Sequence, residues 1–202
     1  MDLTTIIHEI KNTIRGEPHT FSEIRSMIEE ARLNETDIFQ IISDHHRFLN
    51  ESVVILLDRD SSTVEKQIHL DRLLQLFDMH SHAEEETLYR SLARHTDHEV
   101  KRAGLVGIDE HEIAHNLADE LQGSGFLSQW TDDIDAKAQV FATLLSNHML
   151  EEEGMVFPLA KKALLPGELL VLASDYLDLC EFELDGEARQ IAPTFLTWPL
   201  DT

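Results

Sequence analysis

Apolar residues recur at three- and four-residue spacing along nearly the whole chain. Ile38, Ile41, Leu49 and Leu56 form one stripe, and Leu73, Leu76, Phe77 and Leu88 form a second. Phe141, Leu144, Leu145, Met155 and Val156 form a third. This period places side chains on one face of an α-helix, and strand signals are nearly absent. Thr20-x-x-Glu23, Ser62-x-x-Glu65 and Thr96-x-x-Glu99 each read as a capping box that opens a helix. Gly123-Ser-Gly125 and Pro166-Gly167 read as breaks. The pattern predicts short helices over 3–15 and 20–32 and longer ones over 36–58, 63–93, 98–122 and 132–164. A further helix near 167–182 and an irregular tail follow, with Pro193, Phe195, Leu196, Trp198 and Pro199 expected to strap the bundle. Short connections between the four long helices favour antiparallel neighbours. The expected fold is all-α: an antiparallel up-and-down four-helix bundle over 36–165, with extra helices in 1–35 and 166–202.

At one height the stripes are interrupted by histidine and glutamate. His80-x-x-x-Glu84 and His148-x-x-x-Glu152 are one construction used twice. Each carries a second Glu at offset five (Glu85, Glu153) and an aromatic residue at offset nine (Tyr89, Phe157). A four-residue spacing puts both side chains of each pair on one helix face. His111 pairs with His115 beside Ile108, Ala114 and Ala118, and His45 lies on the first apolar stripe. Successive histidines, from His45 to His80, His111 and His148, are 35, 31 and 37 residues apart. Each interval suits a helix-turn-helix return to the same level. Neutral imidazoles and ionised carboxylates facing inward together suit transition-metal ions, and a carboxylate can bridge two of them.

The plainer readings are real competitors. A single His-x-x-x-Glu on a helix is weak, because such a histidine more often caps, hydrogen-bonds or faces water. His82 and Glu86 have the same spacing, but Asp78 and Glu85 place them on a polar face. His8, His19, His69, His95 and His98 read as ordinary surface or loop histidines, and Glu151 and Glu153 as a solvated face. His46 shares a partly apolar stripe with Phe39, Ile42 and Val53 and remains the alternative to His45. What lifts the set His45, His80, Glu84, His111, His115, His148 and Glu152 above coincidence is one contribution from each long helix.

Composition narrows the partners. The 202 residues include 39 acidic and 16 basic ones, giving a formal net charge of -23. Nucleic acid and anionic membrane surfaces call for clustered Lys and Arg, so both are excluded as expected partners. The lone cysteine, Cys180, precludes an intrachain disulfide and fits a reducing compartment. No apolar run approaches the roughly 20 residues of a membrane span, and the start lacks a basic signal region. The expected location is cytoplasmic.

Asp44-His45, His80-x-x-x-Glu84-Glu85, Glu110-His111-x-x-x-His115 and His148-x-x-x-Glu152-Glu153-Gly154-x-x-Phe157-Pro158 together resemble the hemerythrin-like (HHE cation-binding) domain family, over about 36–165. The resemblance implies a four-helix bundle around two non-haem iron ions joined by an oxo or hydroxo bridge. It places His111, His115 and His148 on one iron and His45 and His80 on the other, with Glu84 and Glu152 bridging. The two-histidine iron is then the less saturated. A diatomic or peroxide ligand is expected there, walled by Ile41, Leu49, Phe77 and Leu88. Two departures stand out. Arg90 occupies a position where the family often has proline, and Glu152 replaces the more distant Asp of oxygen carriers. The implied function is to bind, sense or detoxify dioxygen, peroxide or nitric oxide, with catalytic turnover left open. Iron storage, delivery or iron-centre repair is the alternative, and the absence of cysteine from residues 1–35 ranks repair lower. The terminal helices leave room for a protein partner or a homodimer.

Overall fold

A computed structural model describes residues 21–191, with side chains to residue 185. The expected helix over 3–15, the Thr20 cap and the strap over 192–202 lie outside the described residues. The described part is all-helical: α1 (Phe21–Leu33), α2 (Ile38–Leu57), α3 (Thr63–Glu84), α4 (Arg90–Ala93), α5 (His98–Gly123), α6 (Asp132–Glu151), α7 (Phe157–Ala163) and α8 (Pro166–Ile191). Wide π-helical turns, Glu85–Tyr89 and Glu152–Val156, join α3 to α4 and α6 to α7.

Helix starts follow local chemistry. Ser62 forms the expected capping box, accepting from Glu65 N while Glu65 Oε2 accepts from Ser62 N at 2.8 Å. Asp37 caps α2, and Thr131 caps α6 ahead of Asp132, Asp133 and Asp135, whose charges suit a helix N-terminus. The cap of α5 is Asp97, not Thr96; the Asp97 carboxylate accepts from both Glu99 N and Val100 N.

Four helical rods close a ring: α2 against α3, α4 against α5, α5 against α6, and α6 back against α2. A fifth rod changes the picture. Ala173, Tyr176, Leu177, Cys180 and Leu184 form a buried stripe on α8, which runs well beyond the expected 167–182. That stripe lies against α2 and α3, and α1 lies on α8. Arg32 holds α1 to α8 through Asp178 at 2.6 Å and Glu181 at 3.0 Å. Helix α2 is therefore covered on two sides rather than one, and both His45 and His46 are buried. No described helix is long and apolar enough to cross a membrane.

Candidate metal centre

Both His-x-x-x-Glu motifs end where an α-helix widens into a π turn, with Glu84 just before the first and Glu152 opening the second. Such single-turn widenings recur at functional sites. Pro158 follows the aromatic residue of the second motif and Arg90 that of the first, yet both helices widen. The widening therefore does not depend on proline.

The side chains converge. His46 Nε2 lies 3.1 Å from Glu152 Oε2 and 3.9 Å from Glu84 Oε1. His80 Nε2 and His111 Nε2 lie 3.4 and 3.5 Å from Glu84 Oε2, and His148 Nε2 lies 3.5 Å from Glu152 Oε2. Two groups result that could hold a metal ion, each with its donor atoms within 4.8 Å of one another. One is His46, His80, Glu84 and Glu152; the other is Glu84, His111 and His148. Glu84 belongs to both, and all six residues are buried.

An outer layer fixes the imidazoles. His46 Nδ1 meets Glu153 Oε1 at 2.8 Å, His111 Nδ1 meets Glu85 Oε1 at 3.1 Å, and His148 Nδ1 meets Glu110 Oε2 at 2.8 Å. His80 Nδ1 instead meets the Tyr176 hydroxyl at 2.9 Å. A carboxylate on Nδ1 holds the hydrogen there and leaves the Nε2 lone pair for a metal. These four partners were not in the sequence-derived set. The signal for Glu85 and Glu153 was the repeated Glu at offset five. For Glu110 it was adjacency to His111. Tyr176 had only its place on an apolar stripe.

Three features fit a metal cation. His111 Nε2 and His148 Nε2 face each other at 3.0 Å while both Nδ1 atoms are committed to carboxylates, so two lone pairs meet unless a cation lies between them. His46 Nε2, His80 Nε2 and all four oxygens of Glu84 and Glu152 are buried without a hydrogen-bond partner. Each such orphan costs about 1–3 kcal/mol, which a shared cation would offset. The titration behaviour agrees. Burial, and then the charge of Glu152, push the Glu84 carboxyl up. Burial also opposes ionisation of Glu152, but the nearby imidazoles of His46 and His148 outweigh it and hold that carboxyl down. Two carboxylates thus share what only one can keep without a cation.

The sequence model of the hemerythrin HHE cation-binding domain matches residues 37–160. The chain belongs to that family. It is a cation-binding helical protein, and no curated protein and no solved structure matches it.

Within this HHE domain the structure brings part of the expected ligand set together. His80, Glu84, His111, His148 and Glu152 come together, and His46 joins them in place of His45. The two α2 histidines point about 100° apart. His46 faces the second π turn and α7, with its ring stacked 6.1 Å from Phe157, whereas His45 faces α8, with Nδ1 2.8 Å from the Tyr176 hydroxyl. Burial, then the neighbouring His46 charge, depress the His45 imidazole to about 3, so it stays neutral. His115 also falls outside both groups. Its Nε2 lies 2.9 Å from Ser81 Oγ and its ring 4.7 Å from Phe77, one helical turn beyond His111. His82 and Glu86 turn elsewhere, His82 toward Glu183 and Glu86 onto Arg90.

The expected ligand wall lies apart from the cavity at the centre. Ile41, Leu49, Phe77 and Leu88 are all buried, but none lines the chamber that reaches the centre. That chamber, about 400 Å³, descends between α5 and the second motif to Tyr89, His148 and Glu152. Val106, Met155, Val156, Pro158 and Leu159 give it apolar walls. Gly107 sits under the Tyr89 ring, where a Cβ would collide with it.

Proposed function

We propose that the chain holds two iron ions at these groups and uses them to bind or reduce a small neutral oxidant. His46, His80, Glu84 and Glu152 would hold one ion and His111 and His148 the other, with Glu84 shared between them. The carrying observation is the chamber. It touches one residue of each group, His148 and Glu152, beside Tyr89, and the group of His148 has the fewer protein ligands. Small-molecule access is thus expected at the His111–His148 ion, opposite to the expectation from the sequence. Bound iron would supply reversible electron exchange. An imidazole-rich set with two carboxylates brings little negative charge, which favours binding or peroxide reduction over attack on C–H bonds.

The chain's own residues shape what enters. Glu99, Glu110 and Glu151 stand against Arg102 and Lys162 along the chamber, a balance that disfavours anions relative to dioxygen, nitric oxide or hydrogen peroxide. Burial, and then the charges of Glu152 and Glu84, keep the Tyr89 phenol well above its ordinary range. Tyr89 therefore stays protonated and can donate a hydrogen bond to a ligand on the chamber floor. Its Oη lies 3.5 Å from His148 Nε2.

Anaerobic loading with ferrous iron, elemental analysis and optical titration with dioxygen, peroxide and nitric oxide test this reading. Two ions per chain and an adduct or turnover with one of these oxidants are expected. One ion per chain would overturn the diiron assignment. Iron released on reduction, with no adduct, would favour iron storage or delivery instead.

A further inference from the structure

Three of the four clustered histidines back onto carboxylates, and only His80 backs onto a phenol. That phenol comes from α8, beyond the matched residues 37–160. Tyr176 is fully buried, and its Oη lies 2.9 Å from His80 Nδ1 and 2.8 Å from His45 Nδ1. One hydroxyl carries one hydrogen, so it can donate to at most one of the two imidazoles; it accepts from the other, or from both when its hydrogen turns to Cys180.

The direction decides whether His80 can bind. If His80 Nδ1–H donates to Tyr176, the hydroxyl is free to donate to His45 Nδ1, and His80 Nε2 presents a lone pair toward Glu84. If the chain of hydrogen bonds runs the other way, His80 carries its hydrogen on Nε2 and cannot ligate. We infer that Tyr176, backed by His45, is a positioning residue of the metal centre: together they select the tautomer in which His80 is a ligand. His45 is then the far end of a relay, its own Nε2 buried and unpartnered at a cavity of about 10 Å³ lined by Ile24, Phe48, Leu49, Leu76 and Met79.

The inference rests on the metal-binding reading and is independent of which oxidant the centre meets. The test is an anaerobic ferrous titration of the full chain, of Y176F, of H45F and of the double variant, with Mössbauer spectra of each loaded sample. Y176F is expected to weaken iron binding about 10–100-fold, the usual effect of losing such an outer partner. The spectral change should fall on one of two iron signals. H45F is expected to weaken binding less, and to add nothing once Tyr176 is gone, because the two act as one unit. Unchanged affinity in Y176F, or additive losses, would overturn the relay. So would equal change at both irons together with lower melting of the metal-free chain, which marks a merely structural role. A wild-type chain that binds no metal would overturn this inference and the proposed function together; normal wild-type loading with an indifferent Y176F would overturn the relay alone.

Discussion

The two halves of the centre use the same motif and end in opposite surroundings. Around His46 and His80 the protein closes in. Phe157 stacks on His46, Glu153 holds its Nδ1, and α8 brings Tyr176 against His80. Around His111 and His148 it opens. Gly107 leaves room for Tyr89, and a 400 Å³ chamber reaches His148. The offset-nine aromatics exchange places across the repeat: Tyr89 of the first motif touches His111 and His148, while Phe157 of the second touches His46. A repeated motif thus yields one closed half and one open half, which the proposed function would use to hold a metal and to meet a ligand, and the asymmetry comes from what covers each half.

The sharpest way to break this comparison is to remove what the halves share. Glu84 is the one residue in both ligand groups, so Glu84→Ala should lose both ions, the largest effect expected anywhere in the chain. His46→Ala should instead leave about one ion per chain, at the open half. His45→Ala should retain both, more weakly, and His115→Ala should retain both nearly intact. Elemental analysis after iron loading reads all four variants. Greater metal loss from His45→Ala than from His46→Ala would show that α2 is turned the other way.

That pair also shows what the sequence could and could not reveal. Helix periodicity, the Ser62 capping box and the repeated His-x-x-x-Glu were legible, because each is a local pattern a helix must satisfy. The choice between His45 and His46 was not. Face assignment presumes that a bundle helix has one buried side, and α8 gives α2 a second. With Ile41 and Ile42 both fully buried, the hydrophobic pattern carries no preference. His115 misled for a different reason. Its spacing from His111 is right for one helix face, but Ser81 on the facing helix offers it a closer partner than the cluster does. Glu153 looked solvated and is largely exposed, yet one oxygen serves His46. Outer partners of this kind need only one atom inside, and exposure patterns do not report single atoms.

Closing the open half should slow its ligands without removing its metal. In Gly107→Ala the new Cβ meets the Tyr89 ring, which must move or strain. Such overpacking costs about 1–3 kcal/mol. With a methyl added and Tyr89 displaced on the route to His148, adduct formation should slow. Stopped-flow mixing of the iron-loaded chain with nitric oxide or peroxide measures it, and a companion crystal soaked in azide should show the ligand on the His111–His148 ion. Unchanged rates, or azide on the His46–His80 ion, would place access elsewhere.

The closed half invites a converse measurement. If α8 helps to hold His80, metal binding and α8 docking must favour each other by the same factor. Amides of α8 near Tyr176 should exchange hydrogen more slowly in the loaded chain than in the metal-free one. Amides in the first turns of α5, far from both ligand groups, should change less. Equal slowing in both places would mean that metal stiffens the whole bundle and that α8 has no special link to the centre.

The smallest effect is expected far from the metal and separates looseness from ligation. Lys66 Nζ meets Asp135 Oδ1 at 2.7 Å, tying α3 to α6, and Trp130 Nε1 donates to the same oxygen at 3.0 Å. Lys66 precedes His80 by 14 residues on its helix, about 20 Å along the axis. Burial works against the Asp135 charge, but the hydrogen bonds from Lys66 and Trp130 outweigh it, and the carboxyl is held below its ordinary value. A carboxyl depressed by folding contributes stability above its unfolded value of about 3.9 and loses that contribution as pH falls through the folded value. Asp135→Asn should therefore cost about 1–3 kcal/mol at neutral pH, and the gap to wild type should narrow under acid. Chemical denaturation of the metal-free chain across pH reads both parts. Iron stoichiometry should stay the same in this variant. If it shed one ion selectively, general loosening of α3 and α6 would account for the difference between the halves, and the particular ligands and outer partners around each ion would not be needed to explain it.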